Sequence, residues 1–386
     1  MPSILLGLLA LAIWLYLLLG RGGFWLARQR DDRDTPPEPA RWPSVTAVVP
    51  ARDEAAVIAR SIGSLLQQDY PGPFHVVLVD DGSTDGTAAA ARAAAASLGA
   101  TGRLDIIPGA PLPKGWTGKL WAMQQGARHA AESAAPPEYL LLTDADIGHS
   151  PDNLRALVAR AEQGGCALVS LMAELSCATR AERFLIPAFV FFFQMLYPFA
   201  WVARRDRAMA AAAGGCMLAR RTALEAAGGI AAIRTEIIDD CALGRRMKAQ
   251  GPIWLGLTRR AVSLRPYESV AEIGRMVSRS AYAQLGYSPL LLAGTLAGMV
   301  LTYLVPPALA LAGTGPARLL GLAAWALMAL AFQPMLRFYR VSPLWGAALP
   351  VIGAAYALFT LQSALQVWRG RGGQWKGRAQ AMAGRA

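Results

Sequence analysis

Two neighbouring aspartates, Asp80 and Asp81, end an apolar run in the segment VVLVDDGSTDGT (76–87). Carboxylates at such a point could accept hydrogen bonds from the NH group of a nucleotide base or from ribose hydroxyls. Gly82 follows them and permits close approach of a ligand. The alternative is a helix start with acidic residues in its first turn, but that role needs only one aspartate. The pair therefore favours a nucleotide site.

A second pair, Asp144 and Asp146, lies in the segment LLLTDADI (140–147). Alternate residues of an extended segment point the same way, so both carboxylates could face one ligand. Hard oxygen ligands of this kind suit Mg²⁺ or Mn²⁺ bridging a diphosphate. Such a cation would neutralise charge on a departing nucleoside diphosphate. One Asp-x-Asp pattern alone is weak, but its place after a buried strand strengthens it.

A third pair, Asp239 and Asp240, opens a predicted helix in the segment EIIDDCALGRRM (236–247). One of these carboxylates could take the proton from an acceptor hydroxyl. The two acids could equally be ordinary helix-start residues that the helix dipole favours. The catalytic interpretation depends on the two preceding motifs.

Basic residues suited to phosphate occur in the segment KGWTGKLWAMQQG (114–126), where Lys114 and Lys119 precede a predicted helix. Either ammonium group could contact phosphate. The segment is not a P-loop, because the upstream glycine is missing and Leu120 follows the lysine. A P-loop nucleotide triphosphatase is thereby excluded.

Two arginines, Arg275 and Arg279, are one helical turn apart in RMVSRSAY (275–282) and should face the same way. They could clamp a diphosphate or bind lipid headgroups beside a membrane. The sequence leaves both interpretations open.

The elements that must position these residues alternate between strands and helices. Such alternation predicts an α/β fold, a mostly parallel sheet with helices on both faces. Ligands of such sheets bind beyond the carboxyl ends of the strands, where the first two aspartate pairs stand. Strands are predicted at 45–49, 74–79, 103–107, 139–143 and 167–171, and helices at 54–68, 84–98, 121–131 and 151–163.

Composition indicates a membrane protein. Of 386 residues, 54% are apolar and 17% are charged, against about 25% charged in soluble proteins. The net charge of +12 could serve nucleic acid, anionic lipid or a phosphorylated substrate. No basic helix interleaved with aromatic residues and no nucleic-acid motif is present, so we expect a membrane and a phosphorylated substrate, with no nucleic acid.

Apolar segments divide the chain. The run Ile4–Leu19 precedes four arginines and has no basic residue before it, which favours an uncleaved anchor and a cytoplasmic location for the following domain. We expect an anchor (1–22), a proline-rich linker (23–43), a catalytic domain (44–285), membrane segments (286–368) and a basic tail (369–386).

The sequence pattern leaves the number of membrane spans open. The apolar segments 289–312, 319–332 and 344–367 would number three, which would place the basic tail outside, against the positive-inside rule. One of them should therefore be re-entrant or lie along the surface. A further apolar segment, 184–203, is expected to be an interfacial helix, with a buried core helix as the alternative.

Taken in order, the motifs resemble those of the family 2 glycosyltransferases over residues 44–282. They are PARDE (50–54), VDDGSTD (79–85), TDAD (143–146), GGCMLARR (214–221) and IDD (238–240). Within that family, the N-terminal anchor, GWTGK (115–119) and the hydrophobic C-terminal segments are most similar to the hopene-associated glycosyltransferases.

This resemblance implies a nucleotide-diphospho-sugar transferase (GT-A, Rossmann-like) fold with N- and C-terminal transmembrane helices, and a divalent metal. It implies that Asp240 is the catalytic base of an inverting displacement. It assigns the uridine to Pro50, Ala51, Glu54, Asp80 and Asp81, and the ribose and metal to Asp144 and Asp146. Lys119 is expected to bind the donor as well.

One departure from the family pattern bears on the product. Arg279 matches the arginine of the family's Gln-x-x-Arg-Trp motif, but Met276 and Ser280 stand where the glutamine and tryptophan would be. In processive members that motif helps to hold the polymer, so its loss favours transfer of one sugar. Asp239 replaces the commoner glutamate.

The resulting hypothesis is a multi-pass inner-membrane enzyme that transfers one sugar from a nucleotide-diphospho-sugar, expected to be a UDP-sugar, to a lipid acceptor. A hopanoid or another isoprenoid would fit as acceptor. The alternatives are a processive polysaccharide synthase and a non-catalytic membrane scaffold that kept the fold.

Overall fold

Helices and strands follow one another in the computed structural model, which describes residues 1–34, 36–370, 374–375 and 378–379. Most of the basic tail predicted at 369–386 lies outside these residues. The described helices are α1 (Pro2–Leu19), α2 (Ala55–Leu66), α3 (Thr87–Ser97), α4 (Gly118–Ala131), α5 (Asn153–Gly164), α6 (Arg180–Leu196), α7 (Phe199–Val202), α8 (Arg221–Ala226), α9 (Asp239–Lys248), α10 (Val270–Ser278), α11 (Ala281–Gln284), α12 (Pro289–Met299), α13 (Val305–Ala312), α14 (Gly315–Phe338) and α15 (Leu349–Trp368). The described strands are β1 (Val45–Ala51), β2 (Phe74–Asp80), β3 (Leu104–Pro108), β4 (Tyr139–Thr143), β5 (Ile147–His149), β6 (Leu168–Glu174), β7 (Cys216–Arg220), β8 (Ile253–Ser263), β9 (Gln374–Trp375) and β10 (Arg378–Ala379).

The chain divides into two compact units. An α/β unit comprises Gln29–Ser176, Trp201–Arg265 and Gly373–Ala386. A helical unit comprises Met1–Arg28, Cys177–Ala200 and Pro266–Gly372.

The α/β unit is built on an eight-stranded sheet with the order β3-β2-β1-β4-β7-β6-β8-β5. Four of its pairings are parallel and three are antiparallel. The sheet is therefore mostly parallel, as the alternation predicted, but β7 runs against both of its neighbours. Its first residue, Cys216, pairs with the last residue of β4, Thr143.

The core of this unit follows from the apolar pattern of its elements. All seven residues of β1 are buried, as expected for a central strand covered on both faces. In α2, Ile58, Ile62, Leu65 and Leu66 are buried, at the spacing that puts them on one helix face. Parallel pairing of β1 and β2 places Ala51 beside Asp80 at the carboxyl edge, where ligands of such sheets bind.

Close packing of α4 against the sheet depends on Gly126. A Cβ at this position would lie 2.5 Å from Val48 Cγ1 and 3.0 Å from Val79 Cγ2. We expect Gly126→Ala to lower the free energy of unfolding by about 1–3 kcal/mol, because the helix must move away from a close-packed core. Thermal unfolding in detergent measures the change.

The matched control is Gly63→Ala in α2, where a Cβ meets nothing within 4 Å. There the same substitution should raise stability by about 0.5–1 kcal/mol, because alanine favours the helix. Equal effects at the two positions would contradict the packing argument.

The helical unit consists of apolar helices. Five helical segments of the described residues are long and apolar enough to cross a membrane: Pro2–Leu19, Arg180–Val202, Pro289–Ala312, Gly315–Phe338 and Pro343–Trp368. The fourth is longer than the predicted segment 319–332. The predicted interfacial segment 184–203 falls within α6 and α7. Pro187 lies inside α6 without ending it.

Polar contacts inside this unit join elements distant in sequence. The Trp14 indole nitrogen donates to the Thr302 carbonyl at 2.9 Å, and the Tyr356 hydroxyl donates to the Leu185 carbonyl at 3.0 Å. A capping box of Thr179 and Glu182 begins α6. Such bonds satisfy polar groups that an apolar environment would leave unpaired.

Candidate active site

The end of β1 is joined to the loop after β2. Pro50 and Ala51 pair in register with Val79 and Asp80, and the Asp81 amide donates to the Ala51 carbonyl at 2.8 Å. The Asp81 residue is buried. These bonds give the motifs PARDE and VDDGSTD one shared surface at the carboxyl edge.

Side chains of the two loops complete this connection. The Thr84 amide donates to Asp53 Oδ1 at 2.8 Å, the Asp53 amide donates to Ser83 Oγ at 3.0 Å, and the Glu54 amide donates to Thr87 Oγ1 at 2.8 Å. Ser83 and Thr84 therefore serve the loop rather than capping a helix. For this reason α3 begins at Thr87, three residues later than predicted.

The Asp-x-Asp aspartates each contact a cation of the protein. Asp144 Oδ1 lies 2.8 Å from Lys119 Nζ, and Asp146 Oδ2 lies 3.2 Å from Arg265 Nε. Burial raises the pKa of Asp144, while the lysine opposes that shift. The two carboxylates thus mark a place where positive charge is stabilised.

Arg265 is a site residue that the sequence analysis did not identify. Arg265 lies two residues after the end of β8. The residue between them, Leu264, donates its backbone amide to the Asp146 carbonyl at 2.7 Å. The Arg265 guanidinium also forms an ion pair with the buried carboxylate of Glu54. One arginine therefore joins the motif after β1 to the motif after β4. No local sequence pattern predicts this role, because Glu54 and Asp146, the partners of Arg265, are distant from it in the sequence.

Lys119 makes the corresponding connection toward α9. Thr117 caps α4 by accepting from the Leu120 amide, so the lysine falls in the first turn, where the helix dipole disfavours a cation. Two carboxylates offset this, because Nζ lies 2.8 Å from Asp144 and 3.3 Å from Asp239. Burial disfavours the ammonium, but these carboxylates outweigh it and the pKa of Lys119 is raised.

Asp240 is held by backbone amides. Its Oδ2 accepts from the Gly214 amide at 3.0 Å, and its Oδ1 accepts from the Cys241 amide at 2.7 Å. Burial and the neighbouring charge of Asp239 raise the pKa of Asp240 to about 6. Near neutral pH this carboxylate is mostly ionised yet basic enough to accept a proton.

Two ion-pair chains connect four of the predicted site residues, Glu54, Lys119, Asp144 and Asp146. One runs from Glu54 through Arg265 to Asp146, and the other from Asp144 through Lys119 to Asp239. Asp240 follows Asp239 directly. Arg279 directly follows α10 as its C-cap residue and belongs to the helical unit.

The residues present fit a divalent cation that shares its ligands with a substrate. The described residues contain no group of three histidine, cysteine or acidic side chains arranged around a metal, so a cage made only of protein is absent there. Mg²⁺ is typically held by one or two carboxylates together with waters and phosphate oxygens. Asp146, with Asp144 beside it, supplies that donor set at a place already occupied by cationic side chains.

Comparison with known proteins agrees with these observations. Residues 46–228 match the family described as Glycosyl transferase family 2. The 4,4'-diaponeurosporenoate glycosyltransferase of Staphylococcus aureus (strain bovine RF122 / ET3-1) is 36% identical over 104 residues, 27% of this chain and 24% of the relative. The same enzyme from strain MRSA252 gives the same values. The chain thus matches about a quarter of the length of these curated relatives.

A solved structure resembles most of the chain. The mannosyltransferase PcManGT from Pyrobaculum calidifontis, in complex with GDP-Man and Mn²⁺, has a TM-score of 0.58 and 21% identity, covering 94% of this chain and 99% of the other. At this identity the likeness shows the fold. The GT-A nucleotide-sugar transferase fold is thereby confirmed, and the match of residues 46–228 to glycosyl transferase family 2 supports the prediction that the chain is a glycosyltransferase.

Proposed function

We propose that this protein transfers one sugar from a nucleotide-diphospho-sugar, with UDP as the nucleotide, to a lipid acceptor in the membrane. The observation that carries the proposal is the pair of ion-pair chains that unites acids after β1 and β4 with those that begin α9. The family 2 match over residues 46–228 includes Glu54, Lys119, Asp144 and Asp146.

On this proposal, the carboxyl edge of β1 and β2 binds the donor. Pro50, Ala51 and Glu54 with Asp80 and Asp81 hold the uridine, because these residues line the joined loops. Asp144 serves the ribose, and Lys119 neutralises part of the diphosphate charge. Arg279 is proposed as a further diphosphate ligand.

Asp146 would hold Mg²⁺ or Mn²⁺ on the diphosphate. The cation would supply charge stabilisation to the leaving group. Arg265 and Lys119 already contact the same carboxylates, so the site tolerates positive charge here before any donor binds.

Asp240 acts as general base. Its carboxylate takes the proton of the acceptor hydroxyl while that oxygen forms a bond to the anomeric carbon. The bond from the anomeric carbon to the diphosphate breaks, and the nucleoside diphosphate leaves with the electron pair. Attack opposite the leaving group inverts the anomeric configuration.

A lipid acceptor is supported by two observations. Within the part of the chain that the structure describes, five helices are long and apolar enough to span a membrane, and the curated relative is named for glycosylation of a carotenoid acid. We propose a hopanoid or another isoprenoid as acceptor, with the chain in the inner membrane and residues 44–285 acting as the cytoplasmic catalytic domain.

The test uses the full chain in nanodiscs with Mn²⁺, a lipid extract and labelled donors. We expect label from a UDP-sugar to enter an extractable lipid as a single sugar. Labelling only from GDP-mannose would correct the nucleotide, a ladder of products would indicate polymer synthesis, and no labelled lipid would remove the support for this acceptor class.

Nucleotide binding tests the donor site without an acceptor. We expect Mn²⁺-dependent UDP affinity to fall at least about tenfold in Asp146→Ala, because the metal loses a ligand. Asp206→Ala is the matched control, since this exposed aspartate forms an ion pair with Arg204 and is no part of the proposed site. Titration calorimetry measures both. Metal-independent binding of equal strength would contradict the assignment.

A further inference from the structure

Three buried polar side chains close in sequence to Asp144 and Asp146 have no part in the proposed mechanism. Thr143 ends β4, His149 ends β5 and Asn153 begins α5. These residues are 2%, 6% and 0% exposed. Since these side chains are buried, their hydrogen bonds must be made with other groups of the protein.

The bonds form one continuous path. Asn153 Nδ2 lies 2.8 Å from His149 Nδ1, His149 Nε2 lies 3.1 Å from Thr143 Oγ1, and Thr143 Oγ1 lies 2.7 Å from the Gly215 carbonyl oxygen. Four residues from three elements and one loop are thereby connected.

The direction of the path follows from the chemistry of its last group. A carbonyl oxygen only accepts, so the Thr143 hydroxyl must donate to Gly215. That hydroxyl has a single proton, so it must accept from His149, and Nε2 must carry the imidazole proton. Nδ1 is then unprotonated and accepts a hydrogen bond from the side-chain NH2 group of Asn153. Burial lowers the pKa of His149 to about 4, in keeping with a neutral ring.

The path ends at the backbone segment that contacts both Asp144, a predicted ligand of the nucleotide-sugar, and Asp240, the predicted base. The Gly215 carbonyl also accepts from the Asp144 amide at 3.4 Å. The preceding residue, Gly214, donates its amide to Asp240 Oδ2 at 3.0 Å. A single peptide segment therefore holds Asp144 on one side and Asp240 on the other.

We propose that Asn153, His149 and Thr143 form a hydrogen-bond relay of fixed direction that sets the spacing between Asp144 and Asp240. They are positioning residues, since they act through Gly214 and Gly215. The inference rests on the proposed function for the roles of the two aspartates. Its physical basis is that misplacement of reacting groups by about 1 Å can lower a rate by about 10²-fold.

The kinetic test compares Thr143→Val with Thr143→Ser. Valine keeps the shape but removes the hydroxyl, so kcat per UDP-binding molecule should fall about 10–100-fold, while the Kd for UDP changes less than about threefold. Serine restores the hydroxyl and should restore kcat. Thr46→Val, which removes another nearly buried hydroxyl, should leave kcat unchanged.

A lowered melting temperature in Thr143→Val with normal kcat for the folded fraction would show a purely structural role and overturn the proposal. Equal kcat values for the valine and serine variants would do the same.

The tautomer can be measured without any substrate. The chain has three histidines, so nitrogen NMR of ¹⁵N-histidine protein can assign His149 by comparison with His149→Gln. The relay predicts a neutral ring protonated at Nε2 throughout pH 6–8. A ring protonated at Nδ1, or a charged ring, would refute the relay. If the enzyme transfers no sugar, the proposed function fails, but this measurement still decides the direction of the relay.

Discussion

Replacing Asp240, the proposed general base, with asparagine should lower kcat for sugar transfer by about 10²–10⁴-fold, the usual contribution of such a base. Asparagine keeps the shape, and its one carbonyl oxygen can still accept from either the Gly214 amide or the Cys241 amide, but it cannot take a proton. Affinity for UDP should change little, because the proposed donor site lies at the carboxyl edge of β1 and β2. Initial rates with labelled donor measure the loss.

The pH profile gives the same residue a second signature. Because burial and Asp239 raise the pKa of Asp240 to about 6, kcat/KM should fall as the pH drops below about 6, where the base becomes protonated. The residual activity of Asp240→Asn should lack this acid limb, whereas Asp206→Asn should retain it. A wild-type profile that stays flat down to pH 5 would exclude Asp240 as base.

Replacing Lys119 with methionine should lower the free energy of unfolding by roughly 3 kcal/mol, the low end of the cost of breaking a buried ion pair. The low end applies because the Asp144 side chain is 34% exposed. Methionine fills the volume of the lysine stem but leaves Asp144, Asp239 and Asp240 without their shared cation. Thermal unfolding in detergent checks the loss.

The double variant Lys119→Met with Asp144→Asn separates charge from packing. Removing the Asp144 charge lessens the repulsion among the remaining carboxylates. The double variant should therefore be more stable than Lys119→Met alone, by an amount that a double-mutant cycle measures. Mn²⁺ should also raise the melting temperature of Lys119→Met more than that of the wild type. Strictly additive effects would mean that the lysine acts through packing.

Much of the proposed nucleotide-sugar site could be predicted from the sequence, because the patterns that identify it are local. Runs of β-branched residues that end in aspartate identify β2, and an apolar run ending at Thr143 identifies β4. Buried parallel strands read as continuous apolar runs, and their carboxyl ends meet at one edge. The glycosyltransferase motifs then follow from residues adjacent to those ends.

The remaining features depend on contacts between distant parts of the chain. β8 was not predicted, because its eleven residues, IWLGLTRRAVS, include a glycine and two arginines. Arg265, which follows it, is recognisable only through Glu54 and Asp146. Likewise, the pattern around His149 resembles any short polar turn, and its role depends on the Gly215 carbonyl.

Pairing of Thr143 with Cys216 at the start of the β4–β7 ladder has a consequence for engineering chimeric enzymes. This pairing holds the two ends of the segment 144–215 side by side. Lengthening such a segment adds little closure entropy, since that term grows only logarithmically with length. Grafting residues 175–213 from a relative should therefore exchange that portion of the molecule while the ladder keeps Thr143, which precedes Asp144, paired with Cys216.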